Sequence, residues 1–190
     1  MPNLAQLRSR AAVLAAGFAL ASGLSACVTA PPASQYRAPQ PASAVDARRL
    51  YSGRWLEIAR LPMGLTNGCV AGTTSYTLTG TTTLDLRDTC QDKTPTGKEK
   101  ALGAKAVILD PGTNAKFRAR YFGGLITWEF WILDHDADYT WFISADPTFD
   151  RVWIYTRTAP TPVQLAGLVS RVRALGYDAD RLEFPPPLPN

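Results

Sequence analysis

Histidine is almost absent from this sequence: 190 residues contain one, His135. No Ser-His-Asp order and no Cys/His cluster appears around it. His135 stands between Asp134 and Asp136, a trio that reads as a solvated turn rather than a metal site. A Gly-rich phosphate loop in its required strand-to-helix context is also missing, and Gly123-Gly124 between aromatic segments reads as a turn. Excess charge is lacking too. Lys+Arg number 20 against 16 Asp+Glu, and without Arg8 and Arg10 near the N-terminus the count is 18 against 16, a net +2. That bias is too weak to imply a nucleic-acid partner. No catalytic residue, cofactor or metal is therefore nominated, and the chain is not read as an enzyme. No internal repeat and no second-domain boundary is visible.

What is present begins with an export signal. Arg8 and Arg10 precede an apolar run, Ala11 to Gly23, that is short of the roughly 20 residues a spanning helix needs. Leu24-Ser25-Ala26-Cys27 resembles the bacterial lipobox, in which cleavage before the cysteine frees it to carry acyl chains. The resemblance implies lipidation at Cys27, and Val28 in place of Asp implies sorting to the outer membrane. Several acyl chains, at about 0.8 kcal/mol per buried methylene, would hold the protein stably on a membrane. Three regions are thus expected: residues 1–26 as a lipoprotein signal peptide, 27–45 as a Pro/Ala/Ser-rich flexible tether, and 46–190 as one folded domain.

The folded part alternates short apolar-aromatic runs with Gly, Asn, Asp and Pro, the spacing of antiparallel β-structure. Strands are expected over 53–62, 69–78, 81–90, 98–109, 114–122, 125–134, 139–145 and 151–158. Eight such strands can close into a barrel with room for one small ligand. A single helix follows. Thr161-Pro162-Val163-Gln164 carries the N-cap, the proline and the reciprocal glutamine of a capping box. Leu165, Leu168, Val169, Val172 and Leu175 fall on one face, and Gly176 closes the helix. The stripe is expected to pack on the outside of the barrel. A short strand near Leu182–Phe184 is expected after it.

Three segments name a family. Gly53-Arg54-Trp55-Leu56-Glu57-Ile58-Ala59-Arg60 resembles the first lipocalin signature, and its longer Glu-Ile-Ala-Arg ending resembles the bacterial lipocalin and apolipoprotein D branch. Leu133 to Tyr139 stands where the family has its second motif, as a loose match. Trp153-Ile154-Tyr155-Thr156-Arg157-Thr158 resembles the third. The resemblance covers about Asp46 to Phe184 and implies an all-β fold: an eight-stranded up-and-down antiparallel β-barrel, the lipocalin barrel, with one C-terminal α-helix packed outside. It also implies that Arg157 lies across the ring of Trp55 as a structural plug at the closed end, near Leu50, with Gly53 part of the same motif.

Strand alternation then divides residues between cavity and exterior. Trp153 and Tyr155 share the Arg157 face, and the resemblance places ligand at Trp153. Phe117 and Tyr121 are assigned to the cavity and Lys116, Arg118 and Arg120 to water, the reverse being the alternative. The charge on Glu129 favours Trp128 and Phe130 inside, and the resemblance places Tyr76 and Leu84 inside as well. Such aromatics line a site for an acyl chain, or else fill a solid core. Cys69 and Cys90 are expected to bond in an oxidising compartment. A two-residue turn at Thr79-Gly80 would set them directly opposite each other, but the same register would turn Tyr76 and Leu84 to opposite faces. A bulge or a longer turn would reconcile the two.

The expected function is a membrane-anchored carrier or store for fatty acids, lysophospholipids or similar hydrophobic small molecules in envelope maintenance. The alternative is a structural or interaction lipoprotein with a filled barrel whose surface binds a protein partner. Monomer and homodimer are left open.

Overall fold

A computed structural model describes Pro32 and residues 35–187. The export signal, Cys27 and the first part of the tether lie outside the described residues. A one-turn helix α1 (Ala47–Leu50) leads into eight strands: β1 (Ser52–Arg60), β2 (Cys69–Leu78), β3 (Thr83–Asp92), β4 (Glu99–Ile108), β5 (Lys116–Tyr121), β6 (Ile126–His135), β7 (Trp141–Ala145) and β8 (Val152–Thr156). Each pairs antiparallel with the next, and β8 pairs back onto β1, so the sheet closes and leaves no edge. Helix α2 (Pro162–Ala174) follows, and Glu183 then forms an isolated antiparallel bridge with Arg60 where a short strand was expected.

Alternation along the strands produces two apolar cores, one on each side of the same sheet. Trp55, Tyr76, Leu84, Phe117, Ile132 and Phe142 fill the inside. Trp131, Leu133, Ile143, Val152 and Ile154 point out from β6–β8 and meet Leu168 and Val172 of α2. The helix stripe is thus core, as expected, with Val169 and Leu175 at its margin. The capping box forms: the Gln164 amide donates to Thr161 Oγ1 at 3.3 Å and the Thr161 amide to Gln164 Oε1 at 2.9 Å. Arg171 ties the helix to β6 through Asp134 at 2.9 Å.

The expected tether is not free along its described length. Arg37 and Ala38 amides donate to Pro147 O, Ala42 N to Leu133 O and Val45 N to Thr113 O. Tyr36 sets its ring edge-on to Trp131 at 5.2 Å. Its hydroxyl donates to Glu129 at 2.8 Å, with Trp131 Nε1 at 3.0 Å and Arg118 Nη2 at 3.1 Å as further donors. Glu129 therefore faces outward, as its charge implied, yet it is only 4% exposed. The segment 35–45 supplies the cover. Apolar docking and three donors to one carboxylate outweigh the chain entropy that would favour a loose tether.

The β2–β3 register differs from the simple turn. Leu78 pairs with Leu84 and Tyr76 with Leu86, so five residues, Thr79–Thr83, form the connection rather than two. That register would set Cys69 opposite Lys93, and a bulge between Val70 and Thr73 brings it back to Asp92, two residues from Cys90. The Cys69–Cys90 disulfide forms across this offset with Cα atoms 5.4 Å apart. Tyr76 and Leu84 consequently share the inner face. Gly72 occupies the bulge because a Cβ there would come within 3.1 Å of the Glu57 carboxylate.

The closed end is a plug. The Arg157 guanidinium lies 3.6 Å from the Trp55 ring centroid. Its Nη1 donates to Ser52 O (2.7 Å) and Arg54 O (3.0 Å), and its Nη2 to Arg49 O (2.9 Å). Trp55 Nε1 donates to Leu50 O at 2.9 Å, and the ring abuts Phe142 edge-on at 4.7 Å. Gly53, at φ +61°, takes the left-handed backbone that brings those carbonyls to the guanidinium. Replacing Arg157 by Ala removes the cation–π contact and leaves the carbonyls without these donors. The expected loss is about 2–3 kcal/mol, read as a lower urea midpoint. Arg157→Lys keeps the charge but not the planar fork and should recover about half of it at most. An unchanged midpoint in Arg157→Ala would show that the plug does not hold the floor.

Candidate functional site

Above the plug the barrel is not filled. A cavity of about 240 Å³ opens at the far end. Its floor and one wall are aromatic. Phe117 stacks on Phe130 at 5.1 Å, Phe130 meets Trp153 at 5.6 Å, and Tyr121 meets Trp128 at 5.7 Å. Tyr76 and Tyr155 complete this surface. Of the residues assigned to ligand from sequence, Trp153, Tyr155, Tyr76, Phe117, Tyr121, Trp128 and Phe130 all line the cavity. Leu84 does not: it is 1% exposed and packed into the floor below, because β3 enters the barrel at its closed end. Leu86, one step higher on the same face, takes its place in the lining.

The opposite wall is polar, and sequence reasoning missed it. A bulge between Glu57 and Ala59 shifts the alternation in β1, so Ala59 turns outward and Arg60 joins Glu57 inside. Arg60 is 3% exposed and forms an ion pair with Glu57. Its Nη2 donates to Cys69 O at 2.9 Å and Thr66 O at 3.3 Å, and Glu183 stands 3.4 Å from its Nε. Burial raises the Glu57 carboxyl above its ordinary range, and the Arg60 charge pulls the other way.

On β3, Asp88 accepts from Thr74 Oγ1 at 2.7 Å and from the Tyr121 hydroxyl at 2.9 Å. Burial raises its carboxyl too, against those two hydrogen bonds. Burial likewise lifts the phenols of Tyr76, Tyr121 and Tyr155 well above their usual value, so they stay neutral. The signal for Asp88 was available, since Leu84, Leu86, Asp88 and Cys90 alternate on one face. An acidic residue does not announce itself as interior, however, because buried carboxylates are rare without partners that sequence cannot place.

The one histidine stands apart from this cup. His135 lies at the closed-end terminus of β6, stacked on Tyr139 at 4.7 Å and 3.1 Å from Ser43 Oγ. Among the described residues no group of His, Cys, Asp and Glu has metal-binding geometry. The disulfide in the cavity wall leaves no free thiol there.

A closed eight-stranded barrel with a plugged floor, an open cup and one outer helix decides the family once the match over its length is added. The family model for the Lipocalin-like domain matches residues 45–187. The chain belongs to the lipocalin family. It is 29% identical over 147 residues to temperature-induced lipocalin-1 of Arabidopsis thaliana, an alignment covering 72% of this chain and 76% of the plant protein. Its fold is similar to that of insecticyanin from the tobacco hornworm Manduca sexta, with a TM-score of 0.59 at 16% identity, over 84% of this chain and 86% of that one. Lobster apocrustacyanin A1 superposes with a TM-score of 0.56 at 15% identity, over 80% and 91%.

The Cys69–Cys90 bridge joins the β1–β2 loop side of this lipocalin's mouth to the end of β3. It closes a loop of sequence separation 21, for which the chain-entropy relation gives about 3 kcal/mol. Paired Cys69→Ser and Cys90→Ser substitutions should lower unfolding stability by that amount in a denaturant titration. Equal stability would mean that the bridge does not constrain the unfolded chain.

Proposed function

We propose that this lipocalin holds a hydrophobic small molecule in its cup and works as a membrane-anchored carrier or store for fatty acids, lysophospholipids or similar products in envelope maintenance. The observation that carries the reading is the cup itself: about 240 Å³ of space walled by Phe117, Phe130, Trp128 and Trp153 above a sealed floor. That volume is near the lower end for small-molecule sites, which suits one narrow apolar body rather than a bulky lipid. Ring faces offer large apolar area with few polar demands, so the free-energy gain on entry comes from desolvation of the ligand. The membrane part of the reading is supported by the lipobox alone, with Cys27 as the acylated residue and Val28 directing it to the outer membrane of a bacterial cell. The bacterial branch of the family is supported by the Glu-Ile-Ala-Arg ending of the first motif. Temperature induction, which the plant relative's name states of that protein, fits a stress role for this one.

A filled barrel that binds a protein partner is the competing reading, and the open cup weighs against it. The two separate on one measurement. Organic extraction of the purified protein followed by mass spectrometry should recover an apolar ligand, and Trp153→Ala should lose it. A clean extract from a protein that also takes up no fatty acid or lysolipid would overturn the carrier reading. For the anchor, cells given labelled palmitate should incorporate it into the protein, and Cys27→Ser should abolish both the label and sedimentation with membranes. Label retained in Cys27→Ser would remove that assignment.

A further inference from the structure

We propose that the molecule bound in the cup presents a cationic hydrogen-bond donor to Asp88, so that the preferred ligand is an amine-headed amphiphile rather than a carboxylate-headed one. This rests on the carrier reading and sharpens it.

The case begins with which polar atoms face the cavity and what they can still do. An ionised carboxylate accepts about four hydrogen bonds. Asp88 has two, both from neutral donors, Thr74 Oγ1 and Tyr121 OH. Having given their protons to Asp88, these hydroxyls can offer a ligand only lone pairs. The neighbouring Thr73 and Thr89 hydroxyls bond each other at 2.7 Å, so one of that pair is also spent as a donor. Of these four hydroxyls at most one keeps a proton to offer, so the groups bonded around Asp88 present mainly acceptors, while the Tyr76, Tyr155 and Ser144 hydroxyls supply the donors elsewhere in the lining.

The second observation concerns charge. Among the described residues no cation forms an ion pair with Asp88. The two cations in the lining are engaged elsewhere. Arg60 is held by Glu57, Glu183 and two carbonyls, while Lys100 Nζ sits 2.7 Å from Asp92. A half-buried carboxylate facing the cup without a cation is costly, and desolvation raises the Asp88 carboxyl accordingly. An ammonium entering the cup would supply the missing charge and donors together. Tyr121, whose hydroxyl bonds Asp88, shares the lining with the rings of Trp128 and Trp153, and such ring faces attract a cation as well as an alkyl stem. A ligand carboxylate would meet acceptors and a like charge, and one of the two acids would have to take up a proton before both could sit there.

The test uses three single-chain probes of equal length, decylamine, decanol and decanoate, titrated into the purified protein at pH 7 by calorimetry below their micelle concentrations. Decylammonium is expected to bind at least about tenfold more tightly than decanoate, with decanol between them. Asp88→Asn should shrink the amine-to-acid ratio to about threefold or less while keeping the affinity for decanol, which also reports that the variant is folded. Should that variant fail to fold, the ratio in the unaltered protein decides by itself. Equal binding of amine and acid, or an unchanged ratio in Asp88→Asn, would overturn this inference and leave the carrier reading standing. Binding of none of the three would overturn both.

Discussion

A barrel can hold a ligand only if one end is sealed, and here the seal is a guanidinium that does two jobs. Arg157 lies flat on Trp55, and its fork reaches the carbonyls of Arg49, Ser52 and Arg54. Those carbonyls belong to α1 and the start of β1, where the chain crosses the floor before entering the sheet. The donors that reach them come from a distant strand end. Arg157 lies just beyond β8, so one residue locks the first strand to the last and fixes the floor. Everything above it depends on that closure, because the cup is the space left when a sealed sheet curls with its large rings pointing inward.

The sheet is burdened on both sides. Inside, rings from β2, β5, β6 and β8 make floor and wall. Outside, α2 and the segment 35–45 cover the backs of β6–β8, and even the carboxylate of Glu129 is sealed beneath Tyr36. A barrel wall packed from both faces resists local opening, since bending it would cost contacts in two cores at once. The mouth is different. It is formed by connecting segments with exposed Leu65, Phe122 and Leu125, and the disulfide ties one of its sides. Stiffness at the floor and openness at the mouth are what a carrier requires: a site that keeps its shape while its entrance admits a molecule.

The cup is also lopsided. One wall is aromatic and the other carries Glu57, Arg60 and Asp88. Arg60 is engaged by two carboxylates, Glu57 and Glu183. Asp88 is held only by hydroxyls. A polar group that the protein itself leaves short of a counter-charge, set into an otherwise apolar site, is where ligand orientation is decided.

Much of this was legible in the residues because it is local. Alternation over two positions placed Trp153, Tyr155, Phe117, Tyr121 and Trp128 on the inner face, and the Thr161-Gln164 capping box marked the helix start to the residue. The short motifs around Trp55 and Arg157 carried the plug, since their spacing in the family encodes a contact between chain ends. Tertiary structure decided the rest, wherever alternation is interrupted or a burden is shared between distant segments. The bulge at Glu57–Ala59 resets which side chains face in and brings Arg60 into the cup, while the five-residue turn offsets Cys69 from Cys90 and the bulge at Val70–Thr73 narrows that offset. Burial of Glu129 and the inward placement of Asp88 needed partners from segments far apart in the chain. A strand period can be read from neighbours along the chain, but whether a charge is buried is settled only by what the closed barrel brings beside it.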